Sequence, residues 1–562
     1  MAYTPSLAPE LYHTADGNID QMLMDQMRQQ DLSPMAIDAS KPRFTIVVGP
    51  SPFTMPRGWE FFLASPYEGV TYISTVLHNA GYPVRIIDVR FDPDPVENAF
   101  RQIMEGTDVL GIATFEDNYP WVCALLEKVK ARDANMPVIL GGSLVTSVPK
   151  LFLEQTAADV AVVSEGELTI LELMDTWTRH GWSPSTLKDV KGIWYRDEEG
   201  RPVATAPRGQ MPDLNSVPKM RLDLWPQARS PLGLQPQIIA SYSRGCKMDC
   251  SFCYRTTPQE RSKSPEKFDE DLRHLKDNYD VNFIFFSDLT WSSHKRQTLE
   301  NCEVLEDKDI RWTCLTRCSD VDPERLDAMK RANADIVLYG VESLGKDVLK
   351  EARKGSTENI TIRAMHNTWD AGLRFGALLI VGLPGENEES LDHMIGWAEE
   401  HGHVTRVKYL SAMPGTTVYN NGIRDGHIKS EVDHLNWLAT EQALVQDEFL
   451  NYTSIGEGKL RTAYKRIYDS YQPGPVMDFV HWPEHFSFFQ PNQDDGATHS
   501  VDYAGDAWRD GWSSAGPGLA PGCEKYTLDH AGTPRMAALG SRKVGDWSPD
   551  IVPGPRQAAE AK

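Results

Sequence analysis

Short apolar runs alternate with amphipathic stretches along most of this chain, and the alternation starts twice. In the first series the runs are Phe44-Thr-Ile-Val-Val-Gly49, Val84-Arg-Ile-Ile-Asp88, Val109-Leu-Gly-Ile-Ala-Thr114, Pro137-Val-Ile-Leu-Gly-Gly142 and Asp159-Val-Ala-Val-Val163. Each is short, β-branched and nearly unbroken, as strands buried on both faces are. Residues 69–80, 95–105 and 121–132 between them read as helices. This succession predicts a parallel, Rossmann-like sheet with helices on both faces, which binds ligands beyond the carboxyl ends of its strands. Those ends are Gly49-Pro-Ser-Pro52, Thr114-Phe115, Gly141-Gly142-Ser143 and Ser164-Glu-Gly-Glu167.

The second series begins at Ile238-Ile-Ala-Ser-Tyr242. It continues with Val281-Asn-Phe-Ile-Phe-Phe286, Arg311-Trp-Thr-Cys-Leu-Thr316, Asp335-Ile-Val-Leu-Tyr339, Gly376-Ala-Leu-Leu-Ile-Val381 and Arg406-Val-Lys-Tyr-Leu410. Helical patterns over 265–278, 323–332, 346–353, 357–371 and 388–401 separate them. Six β/α units predict a partial (β/α)6 barrel of TIM type, with its active groups at the strands' carboxyl ends.

The flanks differ in character. Residues 1–42 form a polar, Met-rich arm or short helix, and 183–234 read as a hairpin (Val190-Lys-Gly-Ile-Trp-Tyr195) and a linker between domains at 43–182 and 235–420. Residues 421–532 form a mostly helical or irregular C-terminal domain, helix-like over 430–452 and 458–471 and then aromatic-rich (Phe479, His481, Trp482, Trp508, Trp512). These aromatics either close a substrate pocket over the barrel mouth or simply pack. Residues 533–562 have the composition of a disordered tail.

Bulk properties narrow the partners. With 57 basic and 80 acidic side chains the net charge is −23, which argues against nucleic acid or an anionic membrane as a main partner. No apolar run approaches the ~20 residues of a membrane span, and no basic-then-apolar signal opens the chain. Eight cysteines are too few for a disulfide scaffold, and an exposed cluster site needs a reducing compartment, so a cytoplasmic location is expected.

Three of those cysteines carry the chemistry. Cys246, Cys250 and Cys253 form C-x3-C-x2-C in Ser243-Arg-Gly-Cys-Lys-Met-Asp-Cys-Ser-Phe-Cys-Tyr254, directly after the first strand of the second series. Three thiolates on one loop can hold three corners of a four-iron cluster and leave one iron open. Zinc is the weaker reading, because no paired C-x2-C or H-x3-H follows to close a tetrahedron. Cys302, Cys314 and Cys318 belong either to a second cluster or, as the better reading, to buried packing.

The C-x3-C-x2-C array, with Phe252 before its last cysteine, resembles that of the radical S-adenosylmethionine enzymes. The strand ends extend the likeness. Gly340-Val-Glu-Ser343 resembles the turn that contacts S-adenosylmethionine, although Leu344-Gly345 departs from the common Gly-Ser. Ile380-Val-Gly-Leu-Pro-Gly-Glu386 resembles the turn that supports adenine, and Met413-Pro-Gly-Thr416 the turn after the sixth strand. The sheet placed ahead of the motif is similar to the cobalamin-binding domain of the cobalamin-dependent, methyltransferase-type (class B) members. A nucleotide-binding Rossmann sheet is the alternative, against which stand the missing G-x-G-x-x-G and P-loop.

The resemblance implies a [4Fe–4S] cluster on Cys246, Cys250 and Cys253, S-adenosylmethionine near Gly340, Glu342, Ser343, Phe252 and Gly382, and cobalamin, as methylcobalamin, on the first sheet. Cobalamin contacts are expected from Thr114, Phe115, Gly141, Gly142, Ser143, Glu165, Gly166 and Glu167, with no histidine ligand to cobalt because Asp-x-His-x-x-Gly is absent. Arg57 and the Phe115–Tyr119 loop either face the lower side of cobalt or are a solvated arginine and an ordinary loop. Asp288 and Arg317 are candidates for the reaction centre, and Tyr339 is either a base or a packed side chain.

The implied activity is methyl transfer from methylcobalamin to a carbon or phosphorus centre of a small molecule, in natural-product or antibiotic biosynthesis. The expected protein is a monomer served by an electron donor of the flavodoxin or ferredoxin type. A cobalamin-dependent cyclase or rearrangement enzyme, which makes 5′-deoxyadenosine without methylating, is the rival enzyme reading. A corrinoid and iron–sulfur sensor without turnover is the rival from another class. A lone Cys123 in the first domain argues against a methylthiotransferase, which carries a second three-cysteine site.

Overall fold

The computed structural model describes residues 17–50, 65–229 apart from 91 and 93, 237–401, 404–440 and 449–470. Much of the predicted C-terminal domain and all of the predicted tail lie outside these residues.

The first lobe is built on β1 (Phe44–Val48), β2 (Val84–Asp88), β3 (Val109–Ala113), β4 (Val138–Gly141) and β5 (Val160–Val162), all parallel in the order β2-β1-β3-β4-β5. Every residue of β1, β3 and β5 is buried, because helices cover both faces. Glu68–Asn79 and Glu167–His180 lie on one face, and Pro95–Met104 and Tyr119–Arg132 on the other. The N-terminal helix Gly17–Leu32 adds Leu23, Met24 and Met27 to the first face. The chain runs outward both ways from β1 and β3, so the switch point lies between Gly49 and Thr114.

The 183–234 segment is more than a linker. Its strands β6 (Ile193–Arg196) and β7 (Pro202–Ala204) extend the same sheet in antiparallel fashion beyond β5. Ile193 and Tyr195 turn into one core while Trp194 packs on the other, so the hairpin gains burial on both faces by joining the sheet. Pro202 sits on the outermost strand, where its missing N–H breaks no ladder.

The second lobe contains β8 (Gln237–Ala240), the short antiparallel pair β9 (Ser243–Arg244) and β10 (Arg261–Ser262), then β11 (Phe283–Phe286), β12 (Arg311–Thr316), β13 (Ala334–Glu342), β14 (Arg374–Val381) and β15 (Val404–Tyr409). Apart from the β9–β10 ladder, the strands run parallel in chain order, and β15 does not pair with β8, so the barrel is open. The helices Pro265–Tyr279, Pro323–Arg331 and Glu358–Asp370 cover its outside. Ser264, Asp322 and Thr357 start them by accepting a backbone N–H three residues ahead.

Strand alternation separates two environments. Cys314, Val337, Tyr339, Phe375, Leu379, Val407 and Tyr409 enter the outer core, whereas Ile239, Leu315, Gly340, Leu378 and Lys408 at intervening positions keep accessible surface. A closed TIM barrel fills its interior with side chains. Here, among the described residues, the lumen side keeps accessible surface.

The lobes are joined by polar contacts at the barrel's carboxyl edge. Glu68, at the start of Glu68–Asn79, accepts from the Ser241 N–H at 3.1 Å and its hydroxyl at 2.7 Å, just past β8. Trp225 donates its indole N–H to Thr71 at 2.9 Å. Leu435 and Leu438 of the helix Glu431–Leu438 bury themselves in the first lobe's core.

Candidate active site

The cysteine loop is shaped before any ligand enters. Pairing of Ser243–Arg244 with Arg261–Ser262 closes residues 245–260 into a loop. Gly245 begins it at φ 82°, where a Cβ would stand 2.0 Å from the Gln259 carbonyl oxygen, so only glycine fits. The Met248 N–H points at Cys246 Sγ at 3.4 Å, and Arg317 Nη1 at Cys250 Sγ at 3.7 Å. Burial pushes the Cys253 thiol up to about 11, with the charges of Cys250, Glu342 and Cys246 adding to the shift. The three sulfurs therefore sense one another. Among the described residues no three His, Cys, Asp or Glu side chains converge on a single metal ion. Thiols within electrostatic reach and donors aimed at two of them fit a multi-iron cluster.

The other barrel ends resolve the candidates. Asp288 is buried and accepts from the Ser243 N–H at 2.7 Å and from its hydroxyl. It braces the start of the cysteine loop, and burial raises its carboxyl to about 7, with the Glu68 charge also raising it. Arg317 is committed to Cys250 and to the Lys354 carbonyl. Tyr339 is corrected from candidate base to packing residue. It is fully buried on the outer face and shares its hydroxyl with Thr368 of Glu358–Asp370 at 2.6 Å, so it has no route to a substrate in the lumen.

Glu342 has φ 68° and pairs with Lys354 at 2.9 Å. A side chain at Gly340 would meet its carboxylate at 2.6 Å. Ser343 is buried and accepts from the Gly345 N–H. Gly382, at φ 89°, donates its N–H to Glu386 at 2.6 Å and has open space where a Cβ would sit. Phe252 packs with Ile380 and Leu410. Cys302, Cys314 and Cys318 are buried.

On the first lobe, Gly141 has nothing within 4 Å of a Cβ, whereas one on Gly142, at φ 113°, would strike the Thr114 carbonyl oxygen at 2.3 Å. Thr114 is buried, donating to the Gly141 carbonyl at 3.0 Å and accepting from the Val145 N–H at 3.1 Å. Phe115 meets Tyr67 edge to face at 5.0 Å. Ser143 donates to Glu116 at 3.4 Å. Near this edge Ser65 Oγ, Trp121 Nε1 and Ser164 Oγ are buried without a hydrogen-bond partner among the described residues. An open glycine shelf with orphaned polar groups nearby fits a large polar macrocycle.

The Glu-Gly-Glu turn is corrected. Glu165 accepts from Arg261 at 2.8 and 2.9 Å and from the Met211 N–H at 2.6 Å, and Glu167 accepts from Arg244 at 2.6 Å. A Cβ on Gly166 would meet Ile73 at 2.9 Å, so the turn is packed rather than open. Arg57 lies outside the described residues. The seam also contains Glu116, from the loop after β3, together with Tyr254 and Lys408, which the motifs missed. Tyr254 accepts from Ser147 at 3.4 Å, and the Pro-Gly-Thr turn places Gly415 against Ser147. The available signal was the Arg406-x-Lys408 alternation in an otherwise apolar barrel strand.

Residues 240–398 match the Radical SAM superfamily and residues 66–174 the B12 binding domain. An uncharacterised methyltransferase of Pyrococcus horikoshii is 25% identical over 380 residues, 66% of this chain and 81% of that protein. The anaerobic magnesium-protoporphyrin IX monomethyl ester cyclase of Rubrivivax gelatinosus is 26% identical over 345 residues, 60% of this chain and 62% of that one. The fold is similar to the radical S-adenosylmethionine methyltransferase TsrM from Kitasatospora setae with cobalamin and [4Fe-4S] cluster bound (TM-score 0.56, 16% identity, 69% of this chain and 78% of that one). It is also similar to the cobalamin-dependent S-adenosylmethionine radical enzyme OxsB with aqua-cobalamin and S-adenosylmethionine bound (TM-score 0.54, 18% identity, 71% of this chain), of which it spans 56%.

A thiol-lined loop at the mouth of an open barrel, facing a B12-binding sheet, defines a radical S-adenosylmethionine enzyme with a corrinoid lobe. The chain carries both a radical S-adenosylmethionine domain and a B12-binding domain, and its cofactors are a [4Fe–4S] cluster, S-adenosylmethionine and cobalamin. Among the described residues no helix is long and apolar enough to cross a membrane.

Proposed function

We propose that this enzyme transfers a methyl group from cobalamin to a carbon or phosphorus centre of a small-molecule acceptor, in natural-product biosynthesis. The observation that carries the reading is the contact of the two ligand-binding edges. Tyr254, next to Cys253, lies 3.4 Å from Ser147, one helical turn beyond Ser143. A ligand on the sheet edge is therefore adjacent to a group held by the thiols. When bound, the cofactors supply the methyl carrier, the reducing electron and the means of activating an inert position.

The chain's own residues hold and orient. Cys246, Cys250 and Cys253 ligate, while the Met248 N–H and the Arg317 guanidinium offset thiolate charge. The turns with Gly340, Glu342, Ser343 and Gly382 receive the nucleoside. Thr114, Phe115 and the Gly141-Gly142-Ser143 shelf receive the corrin. An electron donor of the flavodoxin or ferredoxin type, a monomeric state and a cytoplasmic location complete the proposal.

The test uses anaerobically reconstituted protein with S-adenosylmethionine, reductant, cobalamin and a panel of acceptors. The expected result is a methylated product together with S-adenosylhomocysteine. Turnover to 5′-deoxyadenosine with no methylated product overturns this reading and selects the ring-forming one, which the 26% identity to the Rubrivivax cyclase favours. Cofactor spectra without any S-adenosylmethionine consumption would select the sensor.

A further inference from the structure

Lys408 stands on the lumen face of β15. Its cross-strand partner Ile380 and Leu410, just past the strand, pack with Phe252 of the cysteine loop, whereas Val407 and Tyr409 face the outer core. Tyr409 stacks on Tyr464 of Glu457–Asp469 at 4.9 Å. Lys408 lies deep in the molecule yet keeps accessible surface, as do Cys253, Tyr254 and Glu116. Deep groups that still touch open space line an internal opening, and these four come from both lobes.

The charges facing the ammonium are Arg406, of like sign, and Glu342, Glu116 and Cys253, of opposite sign when ionised. None of them ion-pairs with it, and no hydrogen bond or salt bridge among the described residues includes Lys408. Glu342 is taken by Lys354 at 2.9 Å, and Glu116 accepts from Ser143 at 3.4 Å. A cation withdrawn from water without a counter-ion is half of an ion pair. Two other basic groups at this mouth are spent, Lys354 on Glu342 and Arg317 on Cys250 and the Lys354 carbonyl.

We propose that Lys408 is the anion-binding residue of the acceptor site, receiving a carboxylate or phosphoryl oxyanion of the molecule to be modified. The inference rests on reading this seam as the methyl-transfer site. It assigns the oxyanion to the acceptor and not to the carboxylate of S-adenosylmethionine, because Lys408 faces Glu116 of the corrinoid lobe as well as Glu342 and Cys253 of the barrel. The ammonium thus stands between the two cofactor edges, where an acceptor must sit.

The test uses the full chain, reconstituted anaerobically, as wild type, Lys408→Met, Lys408→Gln and Lys408→Arg. Binding of inorganic phosphate, methylphosphonate and acetate is read by thermal shift at fixed ionic strength, and S-adenosylmethionine binding by equilibrium dialysis. At least one oxyanion should raise the wild-type melting temperature. The Met and Gln variants should bind that oxyanion about ten-fold more weakly and Arg within about three-fold of wild type, with S-adenosylmethionine affinity unchanged. Without ligand, Lys408→Met should melt no lower than wild type, since it removes an unpaired cation.

A fall in that melting temperature marks a structural role and overturns the proposal. So does the absence of any oxyanion effect. About ten-fold weaker S-adenosylmethionine binding also overturns it, by assigning Lys408 to the nucleoside's carboxylate. If oxyanion binding depends on Lys408 but no acceptor is methylated, the anion site stands and the methyl-transfer reading falls.

Discussion

Arg244 Nη2 donates to Glu167 Oε1 at 2.6 Å across the boundary between the lobes. Arg244 lies two residues before Cys246, and Glu167 is the first residue of the helix Glu167–His180. On the opposite strand of the same ladder, Arg261 holds Glu165 at 2.8 Å. Both strands that close the cysteine loop are therefore fastened to one turn of the corrinoid lobe, which sets the separation of the two cofactor sites.

Arg244→Met should strand Glu167 as a buried charge and weaken the hold on Glu165. Breaking one side of a buried pair costs about 3–5 kcal/mol, so a large fall in denaturant midpoint is expected, with less iron retained after reconstitution. Glu167→Gln keeps a hydrogen-bond acceptor and should lose less. Its corrinoid content should match wild type, because Glu167 holds the loop and not the ligand. Full stability and full iron in Arg244→Met would show that the fastening is idle.

Cys250→Ala should lose the iron and keep the corrinoid. The thiols lie at the mouth of β8 while the shelf belongs to a separate sheet. Iron, sulfide and corrinoid quantification on the same sample checks this. Loss of both cofactors together would mean that one site depends on the other.

Two adjacent glycines separate packing from binding. Gly142→Ala places a methyl group against the Thr114 carbonyl at positive φ and should destabilise the lobe by roughly 1–3 kcal/mol. Gly141→Ala meets nothing within 4 Å, so its melting temperature should hold while corrinoid binding drops. Equal corrinoid retention in wild type and Gly141→Ala would remove this position from the shelf.

Asp288 gives stability a pH dependence of definite sign. Its carboxyl is raised by burial from 3.8 to about 7, so between these values the unfolded chain releases a proton that the folded chain keeps. The contribution is fully present below about pH 4 and fades as pH rises to about 7, by at most about 4 kcal/mol. Asp288→Asn keeps an acceptor for the Ser243 N–H and removes the titration. Wild type should lose stability relative to this variant from about pH 4 to 7 and run parallel to it above, in denaturant titrations. A constant difference across that range would contradict the assignment.

The strand runs, most of the helices between them and the cysteine loop were readable in the chain. Each depends on a short window: burial of β1 and β3 on both faces makes their residues uniformly apolar, and Ser264 or Asp322 starts a helix by bonding three residues ahead. Tyr339 was ambiguous because a tyrosine at a strand end looks the same whether its hydroxyl meets a ligand or, as here, Thr368 on the helix behind. The Glu-Gly-Glu turn misled for a similar reason. Exposed acidic turns and buried, arginine-paired ones share one sequence.

By itself, then, the sequence determined three thiols on one glycine-started loop, two β/α series and the order of turns at the strand ends, since ligand spacing and burial period are local properties. Tertiary structure alone decided that Glu167 answers Arg244, 77 residues away. It also decided that Asp288 braces Ser243 and that Lys408 has no ion pair among the described residues. Charge partners are chosen by how two lobes dock, and burial fixes which charges must find one.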